Sequence, residues 1–206
     1  SVVPLLFSMS DFETAPDPAQ AGKLRGPLKN LLFVGRMAPN KRVEDLILAF
    51  AWFNRAEPAS RLVLVGSERS CPRYYAMLRM LAGRLGLGNV LFEGFLSESQ
   101  LAACYEAADL FVTASEHEGF CLPLIEALAR GVPVIARHVG GMPEALGASG
   151  VLFDHAEPRI LAELLQRVLS DAALRQEILR SQKSRLDELR KRDLTADCLK
   201  LLSPPR

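Results

Sequence analysis

Two glutamates bracket the run Glu118-Gly119-Phe120-Cys121-Leu122-Pro123-Leu124-Ile125-Glu126. The run follows Leu110-Phe111-Val112-Thr113, which reads as a buried strand. It leads into Pro123–Arg130, which reads as a helix with proline in its first turn and Gly131 as its stop. Glu118 therefore belongs to a strand-to-helix loop, and Glu126 lies about one turn inside the helix. Between them fall backbone N–H groups that have no acceptor within the helix and lie at its positive end. Such a place suits an anion, and the two carboxylates suit hydroxyl groups on either side of it. An anion flanked by hydroxyls describes a nucleotide sugar.

A second set of residues lies far upstream. Arg36 and Lys41 fall in the loop after the apolar run Leu31–Val34. Read alone, they are solvated surface charges. Read beside a leaving diphosphate, they are the cations that its growing negative charge needs. The chain contains no D-x-D pair to hold a metal for that purpose. Side-chain cations and the helix start near Pro123 would replace it, so neither a metal nor another cofactor is expected.

Apolar runs and helical patterns alternate along the chain and would position these residues. Strands are expected at Leu31–Val34, Leu62–Val65, Val90–Phe92, Leu110–Thr113, Val134–Ala136 and Val151–Phe153. Each precedes a helix: Val43–Asn54, Tyr74–Leu85, Glu98–Ala107, Pro123–Ala129, a short one near Met142–Leu146, and Arg159–Leu169. Alternating βα units with short apolar strands predict α/β architecture: one Rossmann-like, doubly wound parallel sheet of about six strands, with helices on both faces. Ligands of such sheets bind beyond the carboxyl ends of the strands, where the strand order reverses. With the order 3-2-1-4-5-6, the loops carrying Arg36 and Glu118 face each other there. Residues 1–27 read as an irregular lead-in or linker, 28–170 as the nucleotide-sugar-binding domain, and 171–206 as a charged helical tail broken near Asp193. The alternating charges of Arg185 to Arg192 read as a solvated helix face.

Composition narrows the function classes. The chain has 206 residues and a formal charge of +1, which gives no electrostatic case for nucleic acid. No run approaches the ~18 apolar residues of a membrane-spanning helix. The apolar opening Ser-Val-Val-Pro-Leu-Leu-Phe lacks the basic lead and cleavage site of a signal peptide. Cys71, Cys104, Cys121 and Cys198 form no C-x-x-C pair and no metal spacing, which fits a reduced, cytoplasmic chain. His117, His138 and His155 read as loop or surface histidines. A dinucleotide oxidoreductase would need G-x-G-x-x-G after the first strand, and Gly35-Arg36-Met37-Ala38-Pro39-Asn40 stands there instead.

Several of these motifs occur together in one family. Glu118 to Ala136 resembles the E-x7-E signature of the retaining nucleotide-sugar glycosyltransferases of the two-domain GT-B fold (glycosyl transferases group 1). Phe33-Val34-Gly35-Arg36-Met37-Ala38-Pro39-Asn40-Lys41 is similar to the family's G-R-x-x-x-x-K loop, with Asn40-Lys41-Arg42 where Glu-Lys-Gly is common. Leu62 to Ser67, Val90 to Leu96 and Gly140-Gly141-Met142-Pro143-Glu144 match its second strand, third strand and G-G-x-P-E turn. The resemblance covers roughly 28–180. It implies that Arg36 and Lys41 contact the diphosphate and that Glu126 bonds the ribose. Glu118 would hold a sugar hydroxyl near C3–C4, with backbone from Gly119, Phe120, Cys121 and Leu122 beside it. Gly35 and Gly66 would let the nucleotide approach, and Phe95 and Leu96 would border the nucleobase. The resemblance further implies a C-terminal, donor-binding half, with an acceptor-binding domain before it in the whole enzyme. A glycan or lipid-linked acceptor and peripheral membrane association of the full-length protein follow from the same resemblance. An epimerase or phosphorylase of the same architecture, or a module that binds nucleotide without transfer, remains open from the sequence.

Overall fold

The computed structural model describes Phe12 and residues 14–154 and 157–191. Ser1–Asp11, His155, the expected break near Asp193 and Cys198 lie outside the described residues. Six parallel strands form one sheet: β1 (Lys29–Val34), β2 (Ser60–Val65), β3 (Val90–Gly94), β4 (Leu110–Thr113), β5 (Val134–Arg137) and β6 (Val151–Phe153). Their order is β3-β2-β1-β4-β5-β6, the order expected from the sequence. The helices are α1 (Pro18–Leu24), α2 (Val43–Ala56), α3 (Pro72–Arg84), α4 (Glu98–Glu106), α5 (Leu122–Ala129), α6 (Met142–Leu146), α7 (Pro158–Ser170) and α8 (Ala172–Arg190). Among the described residues, no helix is long and apolar enough to cross a membrane.

Side chains alternate across the strands and fill two cores. Leu31, Phe33, Leu62, Leu64, Leu110 and Val112 point to one face, where α2, α3 and α7 cover them with Phe50, Phe53, Leu78 and Leu165. Leu32, Val63, Val65 and Phe111 point to the other, under Tyr105 of α4, Leu124 and Leu128 of α5, and Leu146 of α6. With both faces covered, the strand centres are continuous apolar runs, such as Leu31–Val34 and Leu62–Val65, rather than alternating in polarity.

The lead-in is not irregular throughout. Asp17 accepts from the Gln20 N–H at 2.7 Å and caps α1. Gln20 and Lys23 both bond Glu93 at the end of β3, and the Leu24 carbonyl accepts from Asn30 and Arg61. Short polar residues and Pro16 and Pro18 mask this helix in the sequence, because its stability comes from caps and tertiary partners rather than propensity.

The tail also departs from a solvated helix. Gln182 of α8 is 1 % exposed. Its Oε1 accepts from Val134 N–H at 2.9 Å and its Nε2 donates to Val132 O at 2.8 Å, so one amide satisfies the backbone entering β5. Arg185 donates to the carbonyls of Ala145 (3.1 Å) and Glu144, at the C-terminal end of α6. It is a helix-end clamp, not part of a solvated face. Gln182→Leu should therefore lower unfolding free energy by about 1–3 kcal/mol for each backbone group left unpaired. Urea denaturation with an unchanged m-value checks this, and a loss near zero would show that water replaces the amide.

Candidate functional site

The strand order reverses between β1 and β4, which pair in parallel through Leu31 with Leu110 and Leu32 with Phe111. Loops from β1, β4 and β5 meet above this seam. After β1 the chain makes a single helical turn at Pro39–Lys41 and places Arg42 in the left-handed region at φ 51°. After β4, Glu116 N–H donates to Asn40 O at 2.9 Å and ties the two loops together. After β5, Gly141 N–H donates to Glu118 O at 3.1 Å. The two glycines there lie flush on the β4–α5 loop. A Cβ on Gly140 would meet the Glu118 carbonyl oxygen at 2.2 Å, and one on Gly141 would meet that of Gly119 at 1.6 Å. Their role as the support for Glu118 is a spatial one, which the G-G-x-P-E pattern marks without explaining.

Lys41 and Glu118 come together directly. Lys41 Nζ lies 2.5 Å from Glu118 Oε1, with side-chain exposures of 11 % and 13 %. The sequence assigned them separate partners, a phosphate and a sugar hydroxyl. In this structure each is the other's counter-charge. Arg36 is exposed and has no ion-pair partner among the described residues. Arg42, the other cation of this loop, is engaged with Asp45, Glu44 and Glu116, and its pKa is raised chiefly by the bond to Asp45.

The α5 end carries the second glutamate. Cys121 precedes α5 in the left-handed region at φ 60°, a sparsely populated conformation for a residue with a Cβ. The helix start lowers no thiol pKa here: burial pushes Cys121 up to about 12, with Glu118 adding to the shift. Burial thus disfavours the thiolate form that a nucleophile needs. The N–H groups of Gly119 and Leu122 donate to no acceptor among the described residues. Phe120 packs against the second core, and Leu122 is partly exposed at the rim. Glu126, one turn into α5, accepts from the Tyr105 hydroxyl at 2.6 Å. Burial raises its pKa, while Tyr105 and then Arg130 pull it down. Tyr105 was not singled out from the sequence. Its signal was modest: a tyrosine on the apolar face of α4 whose hydroxyl needs a partner.

Two pockets abut at this edge and share Leu101. The first, of about 220 Å³, is lined by Phe12, Thr14, Tyr105, Leu122, Glu126 and Arg130 among others. The second, of about 350 Å³, takes Gly35, Arg36, Gly66, Phe95 and Leu96 into its wall. Phe95 is 86 % exposed, so its ring is available to a flat ligand rather than spent on the core. Gly66 has a packing reason of its own, because a Cβ there would sit 1.9 Å from the Gly35 carbonyl oxygen. His138 bonds Asp154 at 3.0 Å, away from these pockets, and His117 is exposed. Among the described residues no group of three or more His, Cys, Asp or Glu could hold a metal ion.

The raised pKa of Glu126 fixes the sign of a stability effect. A carboxylate whose folded pKa lies above its unfolded value stabilises the fold below the unfolded pKa and loses that contribution as pH rises through the folded one. Glu126→Gln should therefore melt at a higher temperature than the parent at neutral pH. The gap should close as pH falls below the ordinary glutamate range. Thermal melts across pH check this, and a gap independent of pH would show that the charge of Glu126 carries no desolvation penalty.

The chain resembles known proteins over most of its length. Residues 19–185 match the model of the glycosyl transferases group 1 family. A D-inositol 3-phosphate glycosyltransferase of Segniliparus rotundus is 40 % identical over 69 % of this chain and 33 % of its own length. The chain spans about a third of the length of such curated relatives. Among solved structures, the C-terminal domain of the group 1 glycosyl transferase LpcC from Francisella tularensis matches with a TM-score of 0.74 at 25 % identity. That match covers 88 % of this chain and 97 % of that domain. Anabaena Alr3699/HepE in complex with UDP-glucose matches with a TM-score of 0.77 at 25 % identity, over 95 % of this chain and 54 % of its own. By sequence, sheet order and domain match alike, this chain belongs to the glycosyl transferases group 1 family.

Proposed function

We propose that the chain is the donor-binding part of a retaining hexosyltransferase that takes a nucleoside diphosphate sugar without a metal. The observation that carries this is the convergence, at one switch point, of a cationic β1 loop with the open N-terminus of α5 and with two carboxylates spaced along it. The diphosphate lies against Arg36, Lys41 and the N–H groups of the β4–α5 loop, where charge and helix dipole favour an anion. Glu126, braced by Tyr105, takes the ribose hydroxyls. The base lies in the pocket between Gly66 and Phe95. The sugar hydroxyls reach Glu118. UDP is the first nucleotide to try, since the similar Alr3699/HepE binds UDP-glucose.

Transfer on this reading keeps the anomeric configuration. The bond from the sugar C1 to the diphosphate oxygen breaks as the acceptor oxygen bonds C1 on the same face. The acceptor's proton passes to the departing phosphate oxygen. Arg36 and Lys41 act most at the transition state, because the leaving oxygen gains charge only as the bond breaks. The relatives' greater length leaves room for a separate domain that would present a glycan or lipid-linked acceptor, at the inner face of a membrane in the cytoplasm.

Titrating the chain with UDP, GDP and ADP by calorimetry should reveal one binder, with the same affinity in the presence of a chelator. Arg36→Ala should weaken it by about 1.5–3 kcal/mol, the range of a charge-assisted bond. Affinity abolished by the chelator would overturn the metal-free reading, and an unaffected Arg36→Ala would remove that residue from the diphosphate site. Glu126→Ala should weaken nucleoside diphosphate binding by about 1–2 kcal/mol and leave inorganic pyrophosphate nearly untouched. Equal losses for both ligands would assign Glu126 to general electrostatics instead of ribose.

A further inference from the structure

Lys41 and Glu118 form the most enclosed oppositely charged pair at the switch point, and no other charged side chain satisfies either of them among the described residues. Arg42 is held by Asp45, Glu44 and Glu116. The Cys121 thiol is neutral. The backbone of both residues is fixed: Lys41 N–H donates to Ala38 O at 2.9 Å, and Glu118 O accepts from Gly141. Gly140 and Gly141 hold the Glu118 peptide in place, so its carboxylate can follow a turning lysine only by rotating about its own side-chain bonds.

This has unequal consequences for two ligands that share one diphosphate. A diphosphate that captures Lys41 removes the cation that Glu118 pairs with and sets negative charge beside it, in a place where both side chains are largely desolvated. A bare nucleoside diphosphate offers nothing in return. An intact donor carries sugar hydroxyls that donate to the abandoned carboxylate. We propose that Glu118 is a specificity-determining residue that selects the intact sugar donor over the sugar-free nucleotide, by competing with the diphosphate for Lys41 whenever no sugar is bound. After transfer, the carboxylate reclaims the lysine and favours release of the spent nucleotide. The inference rests on the donor-site reading given above.

The test is calorimetry of UDP and UDP-glucose binding to the parent chain and to Glu118→Gln, Glu118→Ala and Lys41→Ala. The parent should bind UDP-glucose more tightly than UDP. Glu118→Gln and Glu118→Ala should each bind UDP about tenfold more tightly than the parent, as expected when a competing partner of a partly buried charge is removed. UDP-glucose should gain less or lose affinity, so the preference for the donor collapses. A parent that prefers UDP overturns the proposal without any variant. UDP affinity at or below the parent's in the folded Glu118 variants also overturns it. If Lys41→Ala loses UDP affinity in that same case, the donor site stands and only the selector role falls. If Lys41→Ala binds UDP like the parent, or the parent binds neither ligand, the donor-site reading fails and takes this one with it.

Discussion

The parallel pairing of β1 with β4 is the constraint from which the site follows. Helices α2 and α3, which follow β1 and β2, pack on one face of the sheet, and α4, α5 and α6 pack on the other. The chains leaving β1 and β4 must therefore part company above the seam and leave a crevice between them. Everything polar at that edge hangs from this parting. The Arg36–Lys41 loop descends from one lip and the Glu118–Cys121 loop from the other, and α5 points its positive end into the gap. The two apolar cores fix the height of both lips, since Phe33 and Phe111 are buried on opposite faces of adjacent strands.

The crevice holds its charged groups under tension. Glu118 pairs with Lys41, whereas Glu126 has only a neutral phenol as its close partner and a more distant guanidinium. Partly buried carboxylates with incomplete partners raise the free energy of the empty fold, and such groups gather where a ligand will complete them. The left-handed Cys121 and Arg42, one at the start of α5 and one at the start of α2, fit the same description for the backbone.

The sheet was legible because its signal is local. Each strand is a short apolar run, and each run is followed by a helical period, so the order of elements and their class could be read residue by residue. The site was half legible. The positions of Arg36, Lys41 and Glu118 on their loops and of Glu126 inside α5 follow from the same local reading. The contact between Lys41 and Glu118 does not, because it depends on how far two loops lean across a crevice. Tyr105 and Gln182 were missed for a related reason: each satisfies a group far away in sequence, and nothing in its own neighbourhood announces the need. Helix α1 was missed because its residues are weak helix formers held by Asp17, Glu93 and Arg61.

Arg185 adds a mechanical reading to this arrangement. Its guanidinium grips the last carbonyls of α6, and α6 begins at the two glycines whose backbone rests on Glu118 and Gly119. Only a five-residue helix separates the grip from the resting point. A single-turn helix with no slack at either end behaves as a strut. The seat of α8 against the sheet thus bears on the height of the Glu118 peptide, and a long helix near the end of the described chain becomes the ruler against which a distant carboxylate is placed.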